Sequence, residues 1–224
     1  MVNITAAKQP FLTNSFYLIT REFYNPWVVN YSPDMTLGEA RKRYFEIAGF
    51  GPDGGYDDFW IKVKVWRLPV WLPNTKGRVA AVKLHDLHHV LTEYSTTWAG
   101  EAEISAWELG SGGLHGYFAG WWLDLMNVAQ GLIVNPKGVY RGFMRGRSTR
   151  NLFDHTFSDE MLNSLVGEYR HKLHLEKAER APTARDNAAL AFWIAASALT
   201  YVVSVPIPFI LAILLILWSL GYAI

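Results

Sequence analysis

The chain has 224 residues and a formal net charge of +1, and it is long enough for one sizeable core and an extension. The near-neutral balance gives no electrostatic footprint for nucleic acid, so we expect no nucleic-acid partner. Cysteine is absent, which excludes disulfides, zinc–thiolate sites and cysteine nucleophiles. Aromatic residues make up 15% of the chain, a content that suits membrane-interface contacts, apolar ligand sites or an aromatic core.

The N-terminal quarter of the chain has one clear helix signal. Residues 1–32 are aromatic-rich and poor in charge, and we interpret them as an N-terminal extension that lacks the pattern of a signal peptide. Apolar residues at helical spacing predict a helix over 35–49. Residues 58–66 alternate in the manner of a short strand, or form an irregular segment, and Pro69 and Pro73 are expected to break it.

The middle of the chain is predicted to be helical throughout. Asn74 or Thr75 is expected to cap a helix that runs to residue 94. Asp124 is the single charge of the next apolar segment. The chain is therefore predicted to form an all-α fold, a single helical domain over 33–180. Further helices are predicted over 100–109, over 114–134 and from residue 158.

The segment His-Asp-Leu-His-His at 85–89 predicts a divalent-metal site. On a helix, His85 and His89 lie four residues apart on one face, and Asp86 lies about 60° from His89. Glu101 follows one loop later and starts the next helix, where the helix dipole favours a carboxylate. We interpret His85, Asp86, His89 and Glu101 as metal ligands, and His88 as a supporting or surface group.

This short motif also has an interpretation without a metal. A helical histidine pair is often a hydrogen-bonded core or surface pair that holds no metal. If a metal is bound, ligation by two histidines and one or two carboxylates suits Zn, Fe(II), Mn or Co, and ligand type does not choose among them. We expect one divalent ion per chain.

Several blocks of the chain together resemble a known family. His85, Asp86 and His89, followed after eleven residues by Glu101, form a pattern similar to the signature of the coenzyme Q (ubiquinone) biosynthesis protein four family. The segment 146–153, which begins Gly-Arg-Ser, resembles a second block of that family. The resemblance covers roughly residues 33–176, and the metal block is its specific part.

This resemblance implies a function and a substrate class. Members of the family act on the polyprenylated aromatic ring of a ubiquinone precursor, removing its carboxyl group and hydroxylating that carbon. The resemblance therefore implies a metal-dependent oxidative decarboxylase whose partner is a membrane lipid or quinone precursor. Arg145 or Arg147 could hold the ring carboxylate by bidentate hydrogen bonds, although surface or phosphate-facing roles are also open to either residue. The apolar segment 114–134 is expected to line a tunnel for the substrate tail.

The C-terminal tail predicts a membrane anchor. No charged residue or histidine occurs in residues 187–224, and two apolar runs, 188–204 and 209–224, flank Val-Pro-Ile-Pro. The tail is expected to form a transmembrane hairpin that turns at the prolines, or one kinked transmembrane helix. By the positive-inside rule, basic residues before the tail predict that the domain lies on the cytoplasmic or mitochondrial matrix side, although a mixed-charge helix face explains them equally well. These residues are Arg170, Lys172, Lys177, Arg180 and Arg185.

Other function classes fit less well. A fatty-acid-hydroxylase-type di-iron enzyme needs several histidine boxes, and the remaining histidines of the seven in this chain supply no second box. A phosphohydrolase with a His-Asp pair needs an earlier histidine, and none precedes His85. A zinc protease would have Glu rather than Asp beside the first histidine. The main alternative is a non-catalytic quinone- or lipid-binding protein, or an assembly subunit of a membrane-protein complex.

Overall fold

The computed structural model describes residues 30–65, 68–177 and 180–220. The described chain is mostly helical, with one two-stranded hairpin, which confirms the predicted helical fold class and adds a sheet element to it. The predicted extension 1–32 lies outside the described residues except for its last three. Of these, Tyr31 packs in the core. In chain order the elements are α1 (Leu37–Ala48), β1 (Trp60–Val65), β2 (Leu68–Pro73), α2 (Lys76–Thr92), α3 (Trp98–Gly110), α4 (Phe118–Val134), α5 (Pro136–Gly146), α6 (Asp159–Asn163), α7 (Val166–Lys172), α8 (Ala184–Ser204) and α9 (Pro206–Ser219).

Threonine side chains set where several helices begin. Thr36, Thr75 and Thr97 each have extended backbone, and each hydroxyl accepts a hydrogen bond from the backbone N–H three residues later. Such a bond satisfies one of the four N–H groups that a helix start leaves unpaired, and its loss costs about 1 kcal/mol. Thr75 is therefore the cap of α2, one of the two residues expected from the sequence.

α3 is the central helix of the domain, and α4 and α5 lie against it at very short range. A Cβ on Gly142 of α5 would lie 2.2 Å from the Glu103 carbonyl oxygen of α3. A Cβ on Gly131 of α4 would lie 2.3 Å from the Cβ of Ala102. Only glycine permits these backbone approaches, and they fix α3 between its two neighbours.

The β hairpin includes both prolines that were expected to break it. β1 and β2 pair antiparallel, with Trp60 opposite Pro73 and Lys64 opposite Pro69. The Asn74 N–H donates to the Phe59 carbonyl oxygen at 3.0 Å, so Phe59 and Asn74 form a hydrogen-bonded pair. From this pair, non-hydrogen-bonded and hydrogen-bonded pairs alternate along the antiparallel ladder. Both prolines fall at the intervening non-hydrogen-bonded positions, where the missing N–H removes no ladder bond. The predicted short strand is confirmed, and the expectation that these prolines end it was wrong.

The C-terminal helices differ in how they meet the domain. α8 packs on α4: its Leu190 and Ser197 are buried, and Trp193 stacks on Trp121 with 5.2 Å between ring centroids. α9 has no buried residue among its described side chains. Together they form one 34-residue helical stretch, Ala184–Leu217, that is long and apolar enough to cross a membrane.

Candidate metal centre

α2 and α3 bring three of the four predicted ligands together. His85 Nε2 lies 3.1 Å from His89 Nε2 and 3.4 Å from Glu101 Oε2. His89 Nε2 lies 3.3 Å from Glu101 Oε1. His89 is buried, whereas the His85 and Glu101 side chains are 18% and 28% exposed. The three residues form a group that could hold a metal ion, open to solvent on one side.

The short loop between α2 and α3 starts from a helix end whose backbone is held in place by a left-handed residue and by contacts with Arg170. Glu93, the residue that follows α2, adopts a left-handed conformation with φ 64°. The Arg170 guanidinium pairs with Glu93 at 2.7 Å and donates to the carbonyl oxygens of Val90 and Leu91. These bonds satisfy carbonyl groups that the end of α2 leaves unpaired.

Glycine is required where α3 begins. A Cβ on Gly100 would lie 2.0 Å from the Ser95 carbonyl oxygen, well inside any real contact. The glycine therefore lets the first turn of α3 pack directly on the loop. This packing sets the position of Glu101 opposite the histidines, with Thr97 as the helix cap.

Hydrogen-bond partners assign the histidine tautomers. His89 Nδ1 lies 2.9 Å from the Tyr94 carbonyl oxygen, which can only accept, so Nδ1 carries the proton. His85 Nδ1 lies 2.9 Å from Glu108 Oε1 and donates to it in the same way. In the neutral imidazoles both Nε2 atoms then present lone pairs to each other and to Glu101.

The geometry of these three groups fits a divalent ion. Two ligand atoms at about 2.0–2.1 Å from an ion, separated by about 90–109°, lie about 2.9–3.4 Å from each other. The three distances between His85, His89 and Glu101 fall in that range. Opposed lone pairs and a carboxylate at such distances repel unless a proton or a cation lies among them. The donor set is therefore suited to a mononuclear site for Zn, Fe(II), Mn or Co.

His88 and Glu108 form a buried support that sequence reasoning missed in part. His88 Nδ1 lies 2.5 Å from Glu108 Oε1, and His88 Nε2 accepts from the Leu152 N–H at 2.8 Å. Burial lowers the pKa of His88, so the ring stays neutral. The supporting role expected of His88 agrees with this geometry. Glu108 accepts from both His85 and His88, which orients the metal-facing imidazole through its second nitrogen.

Asp124 completes a second, deeper group with His85 and Glu108. The three residues offer ligand atoms within 4.8 Å of one another. Burial, and then the Glu108 carboxylate, raise the pKa of Asp124 well above its usual value. Glu108 Oε2 and Asp124 Oδ2 are both buried without a hydrogen-bond partner in the described part of the chain. A proton shared between Asp124 and Glu108 would satisfy both oxygens, in keeping with the raised pKa of Asp124.

The electrostatics of the site favour a cation. Burial alone would lower the pKa of His85, but Glu108 and then Glu101 outweigh it and raise the pKa well above the usual value. For Glu101, burial acts to raise the pKa, but His89 and His85 bring it down to about 2. These shifts favour a protonated His85 beside an ionised Glu101. A divalent ion would replace that proton.

Asp86, the fourth predicted ligand, is not grouped with His85, His89 and Glu101. Its Oδ2 accepts a hydrogen bond from the Tyr56 hydroxyl at 2.6 Å, and the residue belongs to neither metal-competent group of the described residues. Burial raises its pKa despite that hydrogen bond and the nearby His85 and His89. Its assignment as a ligand stays a prediction, and the observed contact ties α2 to the loop before β1.

The two predicted substrate-binding arginines have different surroundings. Arg145 donates to the Thr92 carbonyl oxygen at 3.3 Å and lies over the Tyr94 ring, 5.2 Å from its centroid. Arg147 instead donates to Asp186 at 2.9 Å, at the start of α8. Arg145 is therefore beside the loop that carries the Tyr94 carbonyl, while Arg147 fastens the C-terminal helix to the domain.

A cavity of about 180 Å³ borders the site at His89. The ring of Tyr44 stacks on His89 at 5.4 Å, and α1 and the α2–α3 loop form the walls. A second cavity of about 570 Å³ lies on another side of α2, near Tyr56, Lys83 and Tyr117. The expected tunnel wall over 114–134 does not line the cavity at His89; the Asp124 side of α4 faces the buried support of His85.

Comparisons with known proteins identify no relative: no family model matches the chain, and neither the curated proteins nor the solved structures give a match.

Proposed function

We propose that the chain is a membrane-anchored, metal-dependent enzyme that acts on an aromatic acid carried in the bilayer. The observation that carries this proposal is the convergence of His85 Nε2, His89 Nε2 and the Glu101 carboxylate at ligand-to-ligand distances. These residues would hold one divalent ion. Three protein ligands leave a coordination position for substrate, as catalytic metal sites require.

The chemistry follows from the ion and its surroundings. A bound ion supplies Lewis acidity toward the carboxylate or phenolate oxygen of a substrate ring. The cavity of about 180 Å³ beside His89 has Tyr31, Tyr44 and Tyr94 in its lining, which suits one aromatic ring. Arg145, which lies over the Tyr94 ring, would bind the substrate carboxylate. These features support an aromatic acid as the substrate class.

The reaction is proposed from the resemblance of the metal block to the ubiquinone-biosynthesis family. It is oxidative decarboxylation of a prenylated ring, in which the ring loses carbon dioxide and gains a hydroxyl at the same carbon. Dioxygen supplies the oxygen atom, and two electrons and two protons reduce its second atom to water. The apolar helix Ala184–Leu217 supports a membrane-borne substrate, because an enzyme that handles such a lipid must contact the bilayer.

The anchor is proposed to be one kinked helix. Val205 lies in the right-handed region with distorted angles, φ −117° and ψ −73°, yet its N–H donates to the Tyr201 carbonyl oxygen, and the Phe209 N–H donates to the Val205 carbonyl oxygen. The helical path therefore continues past Pro206 and supports a kink more than a hairpin turn. The domain is proposed to lie on the cytoplasmic or matrix side, and the basic residues before α8 support this through the positive-inside rule.

An activity assay tests this function. The full-length protein in detergent, loaded with Fe(II), Mn, Co or Zn, is mixed with prenylated 4-hydroxybenzoate labelled in its carboxyl group, with oxygen and a reductant. The proposal predicts released labelled carbon dioxide that is lost in His89→Ala and in Arg145→Met. Binding of the prenylated acid without release of carbon dioxide under any of the four metals would favour the alternative, a non-catalytic quinone- or lipid-binding or assembly subunit.

A further inference from the structure

The N-terminal end of α4 carries large apolar side chains in water-exposed positions. Phe118 is 84% exposed and Trp122 is 41% exposed. They are four residues apart, so they lie on one face of the helix. Exposed aromatic residues of this size are costly in water unless another phase or a partner covers them.

The end of α8 lies directly beside this face. The Trp122 indole N–H donates to the Ser204 hydroxyl at 3.0 Å, and Ser204 is the last residue of α8. From this contact the chain continues into α9, whose described side chains include Phe209, Ile210 and Leu211 at 52–69% exposure. The end of α8 also exposes Leu199 at 65% and Val203 at 51%, so exposed apolar surface of the tail lies on both sides of the Trp122 contact.

The start of α8 is held firmly, so this position is determined by the fold. The buried Asp186 carboxylate accepts from Arg147 at 2.9 Å and from Arg180 at 2.7 and 3.0 Å. Trp193 then stacks on Trp121 midway along the helix. With contacts at its start, middle and end, α8 leaves the domain at a defined place.

We infer that Phe118 and Trp122 form a second membrane contact, seated in the interfacial layer of the bilayer that α9 enters. This inference rests on the proposed membrane span. The occupant of the face is lipid, because the face is continuous with the helix that enters the bilayer, and aromatic side chains are favoured at that depth. The domain is then held at the surface by α4 as well as by its anchor.

The larger cavity lies close to the proposed membrane contact. Tyr117, next to Phe118, lines the cavity of about 570 Å³ on α2, and Phe59, 79% exposed, lines the same cavity. One wall of this cavity therefore lies next to the proposed membrane contact. Tyr56 in its lining donates to Asp86 on the metal-bearing helix, so the cavity and the metal centre share α2.

The absence of cysteine permits a direct test, since each introduced cysteine is unique. Phe118→Cys, Leu211→Cys and Lys42→Cys are made in the full-length protein, labelled with a nitroxide and reconstituted in phosphatidylcholine–phosphatidylglycerol vesicles. Collisions with oxygen report lipid, and collisions with a water-soluble nickel chelate report solvent. Leu211 on α9 is the lipid reference, and Lys42, exposed on α1, is the solvent reference.

We expect the label at position 118 to collide with the nickel chelate several-fold less than the label at 42 and with oxygen several-fold more. A label at 118 that behaves as the one at 42, while the label at 211 reports lipid, overturns the inference and leaves the membrane span intact. If the label at 211 also reports water, the membrane span itself fails. Phe118 is too exposed for its substitution to unfold the domain, so the label reports location.

Discussion

Replacing Glu108 with Gln should weaken metal binding although Glu108 does not face the ion. Glu108 Oε1 accepts from His85 Nδ1 at 2.9 Å and from His88 Nδ1 at 2.5 Å, at a fully buried position. Gln keeps an acceptor oxygen and nearly the same shape, so the substitution removes chiefly the negative charge. The charge makes the His85 imidazole more basic and attracts the cation.

The magnitude follows from the loss of this support. Removing a carboxylate that orients a ligand histidine weakens metal affinity by about 10–100-fold, or about 1.4–2.7 kcal/mol. Glu108→Ala should cost more and unfold the protein, because two buried imidazole N–H groups would lose their acceptor at about 1–3 kcal/mol each. The Gln variant is therefore the informative one.

The assay is chelator competition with zinc or cobalt at neutral pH on folded protein, with circular dichroism as the check on folding. Glu103→Gln is the matched control: it lies on the same helix and pairs with Arg141 at 3.4 Å near the surface. The control should bind metal as the wild type does. A folded Glu108→Gln protein with unchanged metal affinity would refute the assigned role of Glu108.

Three further predictions concern the loop, the protons and the tail. Gly100→Ala should weaken metal binding at least tenfold, because the added Cβ would lie 2.0 Å from a carbonyl oxygen of the α2–α3 loop. Gly77→Ala is the control and should leave metal binding unchanged, because its Cβ would meet nothing within 4 Å. Chelator competition compares the metal affinities of the two variants. The raised pKa of His85 means that an ion must displace a proton, so apparent metal affinity should rise with pH above about 6.5, and calorimetry in two buffers should show proton release. Equal affinity at acidic and alkaline pH would contradict this. A chain ending at Ser204 should stay folded and bind lipid vesicles more weakly than the full chain, because it loses α9 but keeps Phe118 and Trp122. A chain ending at Asp186 should aggregate because it exposes α4; vesicle sedimentation and circular dichroism distinguish the two.

The convergence of three of the four predicted ligands could be predicted because it depends on local geometry. His85 and His89 lie one helical turn apart, and a short bend leads to Glu101, so the spacing alone brings the three together. Glu108 and Asp124 come from α3 and α4 and meet His85 only through tertiary packing. The sequence shows only a carboxylate within an apolar helix, as at Asp124. Such a carboxylate indicates that a buried hydrogen-bond partner exists, but the sequence does not identify the partner residue.

Other differences from the sequence predictions have similar causes. A proline ends a strand only at a position where the ladder needs a backbone N–H, which proline lacks. The hairpin register places Pro69 and Pro73 at positions that donate no ladder hydrogen bond. Arg147 was grouped with Arg145 by proximity in sequence, but its partner Asp186 lies 39 positions later. The apolar pattern of α8 predicted a membrane segment, yet one face of that helix packs on α4, which no pattern within α8 could specify.

Elemental analysis of the purified full-length protein tests the central claim most directly. We predict about one divalent ion per chain in the wild type, and in a His171→Ala control on α7 whose side chain is 86% exposed. His89→Ala should remove most of that ion, because it removes one of three converging ligands. Equal metal content in the wild type and His89→Ala, or no divalent ion in either after reconstitution, would contradict the metal centre.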